Sequence, residues 1–146
     1  MPSSHQTSTL VRVDIRTVGC IDLFTADRYR RVILRSLRHM EHERGVRTLA
    51  WCLTTNHLAW LISTHHDPSG IIRDFKRHTS SVLKRVIANS PSDHRMDWIP
   101  AVFRLIGRSN PLNADWQLWQ QLNSIRPVSG DELDQSIRLI RSLPVR

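Results

Sequence analysis

His57, Leu58 and Ala59 follow the polar break Thr54-Thr55-Asn56 and open an apolar run that ends at Ile62 and Ser63. On a β-strand, residues two apart project from one face, so a His-x-His pair would aim two imidazoles at one point and could share a metal ion. Here the second position is Ala59, and a methyl group stands where the second ligand would be. His57 with water alone suits a hard divalent ion poorly, because such ions take several oxygen ligands in a shaped site. His65 and His66 follow the run and read either as replacement ligands or, more commonly for such a pair, as exposed turn histidines. The one tyrosine, Tyr29, lies between Arg28 and Arg30 on a helical pattern, where it reads as a core or interface aromatic with its hydroxyl at the surface.

A second group of residues could bind rather than react. The chain carries 21 Lys and Arg against 13 acids, a formal +8, and only Lys76 and Lys84 are lysines. Guanidinium groups match phosphate with paired donors, so this excess of arginine points to a polyanionic partner. From Pro68 to Asn89, Ile72, Phe75, Thr79, Val82 and Val86 form an apolar stripe, and Arg73, Lys76, Arg77 and Lys84 occupy another arc of the same helix. Such an arc is either a solvated face or a phosphate-binding one. Asn56, Arg12 and Arg16 are further candidates for that surface. Trp60, Trp98, Trp116 and Trp119 could stack on unpaired bases if exposed, although burial is the commoner outcome for tryptophan.

These residues need elements to position them. Residues 1–8 are polar and read as a flexible tail, leaving 9–146 as one domain able to bury a sizeable core. Leu10 to Val18 alternates, with Val11, Val13, Ile15 and Thr17 on one face and Arg12, Asp14 and Arg16 on a charged outer face. Thr25 offers a cap and Asp27 a first-turn charge to a helix whose Tyr29, Val32, Ile33, Leu37 and Met40 share a stripe and which stops at Gly45. The runs Val46–Leu53 and His57–Ser63 around a three-residue break predict a hairpin. Residues 90–115, punctuated by prolines and Gly107, predict a loop with a short element or two. Trp116–Ile125 predicts a last strand, and Ser129-Gly130-Asp131-Glu132 has the form of a capping box opening a helix to about Leu143. The order strand, helix, strand, strand, helix, strand, helix belongs to the α+β class, a ferredoxin-like antiparallel sheet with helices packed on it. Cys20 and Cys52 lack metal-like spacing and read as buried thiols in a reducing compartment. With no apolar run near ~20 residues and no signal pattern, the expectation is a cytoplasmic protein without membrane contact.

On these segments the chain resembles the single-tyrosine HUH transposases (IS200-like), and most closely the REP-associated tyrosine transposases. Asn56-His57-Leu58 is similar to the family's Asn-His-hydrophobic-His strand, and Arg73-Asp74-Phe75-Lys76-Arg77-His78 to its basic helix. Trp116-Gln117-Leu118-Trp119-Gln120 resembles its late aromatic strand, and Pro144-Val145-Arg146 the end of its tyrosine segment. The resemblance implies cleavage and transfer of single-stranded or hairpin DNA by a tyrosine nucleophile, helped by a divalent ion held by the two strand histidines.

The same resemblance implies that this chemistry is lost. Leu139 falls where the nucleophilic tyrosine would be, Leu143 on a later polar position and Ala59 on the second histidine, so no catalytic residue is assigned and His57 is left as a residual metal ligand. Leucine has no lone pair with which to attack phosphorus. Leu139 and Leu143 are expected to extend the packing stripe of Leu133, Ile137 and Ile140 against the His57 strand. DNA-binding candidates are Arg73, Lys76, Arg77, His78, Lys84, Arg12, Arg16 and Asn56. No cofactor is expected, or Mg or Mn if activity remains. The expected partner is structured single-stranded or hairpin DNA, bound by a monomer or homodimer without cutting; an active transposase with substitute residues, or an interaction module that kept the fold, are the alternatives.

Overall fold

Alternation in the first strand divides the molecule into two sides. In the computed structural model, which describes residues 8–89, 98–109 and 117–144, β1 spans Thr9–Arg16 and buries Val11, Val13 and Ile15 on one face. It pairs antiparallel with β3 (His57–Thr64) on one side and with the short β4 (Ser124–Pro127) on the other. β2 (Arg47–Leu53) pairs antiparallel with β3 and forms an edge, giving the order β2-β3-β1-β4. This is the predicted α+β, ferredoxin-like sheet.

Two helices cover the Val11–Val13–Ile15 face. α1 (Asp27–Arg44) buries Tyr29, Val32, Ile33, Leu37 and Met40, and Gly45 ends it in the left-handed conformation, φ 64°, which glycine adopts without a Cβ clash. α2 (Pro68–Ala88) starts at Asp67, whose carboxylate accepts from the Ser69 N–H at 3.1 Å, with Pro68 in the first turn. Its deepest residues are Ile71, Ile72, Phe75, Thr79, Leu83 and Ile87, so Val82 and Val86 of the expected stripe lie at its margin. Trp60 faces Phe75 at 5.2 Å between ring centres, and its indole N–H donates to Thr48 Oγ1. Trp60 and Trp119 are therefore core residues, not stacking platforms, whereas Trp98 is exposed.

α4 (Leu133–Arg141) covers the opposite face, where Ala50, Cys52, Ala59, Leu61, Val128 and Ile140 form a second apolar cluster. The Ser129/Glu132 capping box is present, leading through a 3₁₀ turn into the helix. Leu133, Ile137, Ile140 and Leu143 turn toward the sheet, but Leu139 lies about 100° around the helix from Ile140 and is 47% exposed. The expectation that Leu139 extends the packing stripe is thus corrected: four-residue spacing places it beside Leu143, but the stripe is centred on Ile140.

Other expectations shift for local reasons. Residues 99–109, expected as mostly loop, form α3 (Ile99–Ser109) because Pro100 sits in its first turn, where no N–H is required. The last strand is Ser124–Pro127 and not 116–125; before it, Thr17 and Trp119 form an isolated bridge, and Gln120 N–H donates to Arg16 O at 2.7 Å. Thr25 does not cap α1, whose N-cap is Ala26. Tyr29 is wholly buried, hydroxyl included, and Cys20 is an exposed turn residue while Cys52 is buried. The expected tail falls on residues outside the described set, apart from Ser8, as do Trp116, Val145 and Arg146.

α4 is held by hydrocarbon, so its key contact can be removed by one change. Ile140→Ala should cost about 2–4 kcal/mol in denaturant unfolding, while Leu139→Ala stays within about 0.5 kcal/mol. Equal effects of the two would show that the helix is rotated relative to this description.

Candidate functional site

The face of β1 read as a charged outer surface is occupied by a small, partly buried ionic cluster. In the β1–β3 ladder Asp14 lies opposite Ala59 and Arg16 opposite His57, so Asp14 and His57 are diagonal neighbours on one face. His57 Nε2 lies 2.7 Å from Asp14 Oδ1, and Arg12 grips the same carboxylate through Nε at 3.1 Å and Nη2 at 3.2 Å. Both members of the His57–Asp14 pair have only 12% side-chain exposure. An ionised carboxylate can only accept, so Nε2 carries the proton and Nδ1 is left as the ring's other polar atom. Burial would raise the Asp14 pKa, but hydrogen bonds from His57 and Arg12, with the guanidinium charge, overcome it and hold the group at about 2.

This donor set does not suit a divalent ion. Ala59 offers no lone pair, the His57 Nε2 is engaged by Asp14, and a guanidinium already balances that carboxylate, so an added cation would meet Arg12 as a like charge. Among the described residues no three His, Cys, Asp or Glu side chains converge as metal ligands would. Beside His57 an open cleft of about 410 Å³ is lined by Thr54, Thr55, Asn56, Leu143 and Pro144. The His57 strand and the end of α4 therefore do meet, with Leu143 in the cleft and its carbonyl 3.8 Å from Cys52 Sγ, but Leu139 is not part of that meeting.

The DNA-binding candidates separate onto two sides of the sheet. Arg12 is committed to Asp14 and is no free phosphate ligand. The Asn56 amide donates to Cys20 O at 3.1 Å and Asp22 Oδ1 at 3.2 Å, which makes it a brace for the hairpin turn. Arg16 is exposed on this side. Across the sheet, Arg73 and Arg77 are exposed on α2, and Lys84 is partly so. Lys76 turns inward: its ammonium donates to Gln120 O at 2.8 Å, and burial lowers its pKa to about 8. His78 stacks on His39 of α1, ring centres 4.3 Å apart, with its pKa lowered by burial and by the neighbouring His39 and Arg85. Of the candidates on α2, Arg73 and Arg77 point outward and Lys84 is partly exposed, while Lys76 and His78 hold elements together.

Two features carry weight that the sequence reading gave to other residues. Asp14 had only been placed on an outer face; its pairing with His57 depends on a register between strands more than forty residues apart, which no local pattern reports. α1 also contributes: α1 and α2 together carry eleven Lys and Arg against four acids, a net +7 of the chain's +8. That signal was present in the helical spacing of the α1 arginines.

Comparison with known proteins agrees at the level of the fold. No protein-family model matches the chain, and no curated protein matches it in sequence. Among solved structures, a REP-associated tyrosine transposase bound to a REP hairpin is similar with a TM-score of 0.60 and 9% identity, over 96% of this chain and 70% of that one. A candidate transposase from Deinococcus radiodurans R1 is similar with a TM-score of 0.58 and 13% identity, over 100% of this chain and 98% of that one. At these identities the likeness establishes a transposase-like fold. No described helix is long and apolar enough to cross a membrane.

The Asp14 cluster has a pH signature. Its folded pKa lies below the ordinary 3.8, so its contribution is complete above that value and is lost as pH falls through about 2. The loss should be about 2 kcal/mol in wild type and absent in Asp14→Asn, read from denaturation midpoints along an acid series. A wild-type profile parallel to that of Asp14→Asn would show that His57 and Arg12 do not hold the carboxylate.

Proposed function

We propose that this chain binds structured single-stranded or hairpin DNA and does not cut it. The observation that carries the reading is a segregation across the sheet: cation is concentrated on the α1–α2 layer, while His57 on the other side is closed by Asp14 and Arg12. Binding a polyanion requires only accessible positive charge, and releases counterions as phosphates are neutralised. Cleaving a phosphodiester requires a nucleophile and charge neutralisation at the scissile phosphate. The cleft beside His57 offers Thr54, Thr55, Leu143 and Pro144, and the single tyrosine is buried in the core on the far side of the sheet. That a transposase of similar fold is bound to a REP hairpin supports a hairpin as the ligand class.

Within this reading Arg73 and Arg77 contact phosphate, and Lys84 adds to the field around them. Lys76 acts indirectly by tying α2 to the Gln120–Gln121 backbone.

Fluorescence anisotropy with a labelled DNA hairpin should show binding that weakens steeply with salt. Arg73→Ala and Arg77→Ala should each lower the salt slope by about 1, and Lys76→Ala should lower it by less. Incubation with Mg²⁺ or Mn²⁺ should give no covalent protein–DNA adduct on a denaturing gel. Salt-insensitive or undetectable binding would remove the binding half of the proposal, and an adduct would remove the other half.

A further inference from the structure

We infer that the outer face of α1 is a rail for the phosphate backbone of a base-paired stem, a surface separate from the α2 arginines invoked above. This inference rests on the hairpin-binding reading and specifies which part of the hairpin α1 holds. Arg28, Arg31, Arg35, Arg38 and His42 are all exposed, and at 100° per residue they fall within an arc of about 80°, opposite the buried face of Tyr29, Ile33, Ser36 and Met40. The stripe runs about 21 Å along a single uninterrupted helix.

The charges that could neutralise it are few. Asp27 pairs with Arg31 at 3.0 Å, and Glu43 lies 4.0 Å from His42. Glu41 is exposed beside the stripe, and Asp74 of α2 is taken by Arg44. Arg35 and Arg38, at the centre, have no acidic partner among the described residues. α2 runs antiparallel alongside: Arg44 meets Asp74, while His39 stacks on His78 further back along α1 and further on along α2. The stacked histidines therefore bridge the two helices, with the exposed Arg85 as a further cation beside His78.

Chemistry selects a duplex over an unpaired strand. Surfaces that hold single strands combine cations with aromatic platforms for the bases, and this stripe offers only guanidinium and imidazole groups. A duplex stem is stiff and straight over this length and carries one phosphate charge per roughly 1.7 Å of axis, so a segment as long as the rail holds roughly a dozen over its two strands, part of them facing α1. A straight row of arginines on a rigid helix can lie along the outside of such a stem and meet its backbones where they cross the row, without either partner bending.

The test measures anisotropy for three labelled probes, a hairpin, a blunt duplex of the same stem and an unpaired strand of equal length, across about 50 to 200 mM salt. Arg35→Ala/Arg38→Ala should weaken the hairpin and the duplex roughly tenfold or more, lower their salt slopes by about two, and leave the unpaired strand unchanged. Arg35→Lys/Arg38→Lys should keep most of the slope, which guards against loss of fold in the alanine variant. Unchanged duplex affinity and slope in the alanine variant, with hairpin binding by wild type intact, overturns this inference and leaves the hairpin reading standing. Equal loss on the unpaired strand overturns the choice of a duplex. Binding of polyglutamate as tight as the duplex, lost in the same variant, would mean that an acidic protein is the partner. Failure of wild type to bind any of the three DNA probes overturns both readings.

Discussion

Much of the structure on the α4 side follows from one carboxylate. Asp14 sits in the middle of a central strand with little solvent access, where an ionised oxygen must be hydrogen-bonded or the fold loses several kcal/mol. Arg12 supplies two donors from the same strand and His57 supplies one from the next. Because the His57 donor comes across the ladder, it is made only in the observed register. A slip by one residue would send Asp14 into the apolar layer packed under α1 and α2. The pair thus fixes β1 against β3 and, in the same act, engages the imidazole.

That constraint divides the work between the two faces. On the α1–α2 side the sheet gives its bulkiest residues, Trp60, Ile15 and Leu58 among them, to a conventional core, and the helices are free to carry charge outward. On the α4 side the cluster is small and is built from Ala50, Cys52, Ala59, Leu61, Val128 and Ile140. Ala59 belongs to both stories: its methyl group leaves Asp14 and His57 to meet diagonally beside it, and it packs in the same apolar cluster as Ile140.

What was legible in the chain was what local chemistry determines. The Val11–Val13–Ile15 alternation, the Gly45 stop and the Ser129–Glu132 box each specify an element from neighbouring residues alone, and the fold class followed from their order. α3 was obscured because Pro100 reads as a breaker unless its place in the first turn is known. The site was harder. That position 59 carries no second histidine was visible, but the partner of His57 was not, since strand register between residues 14 and 57 is a tertiary fact. Leu139 shows the limit of spacing: it shares an i,i+4 relation with Leu143, yet the orientation of α4 is set by where Ile140 fits, and Leu139 is left outside. The α1 arginines were legible in their spacing, but a count of charge over the whole chain spreads them into a general excess.

Building a metal centre here would require several changes that oppose one another. A histidine at 59 would add a ring to a fully buried position in the cluster under α4, where overpacking displaces neighbours. Even if it fitted, Nε2 of His57 would remain bound to Asp14, and releasing it would leave the carboxylate to Arg12 alone. Removing Arg12 to admit a cation would take away the charge that helps keep Asp14 ionised, weakening the register the strands depend on. Substitutions on the outer faces of α1 and α2 meet none of these conflicts, because those side chains are exposed and lie across the sheet from His57. The charge carried outward by α1 and α2 can therefore change without disturbing the Asp14–His57–Arg12 cluster, because the two sets of side chains are separated by the sheet.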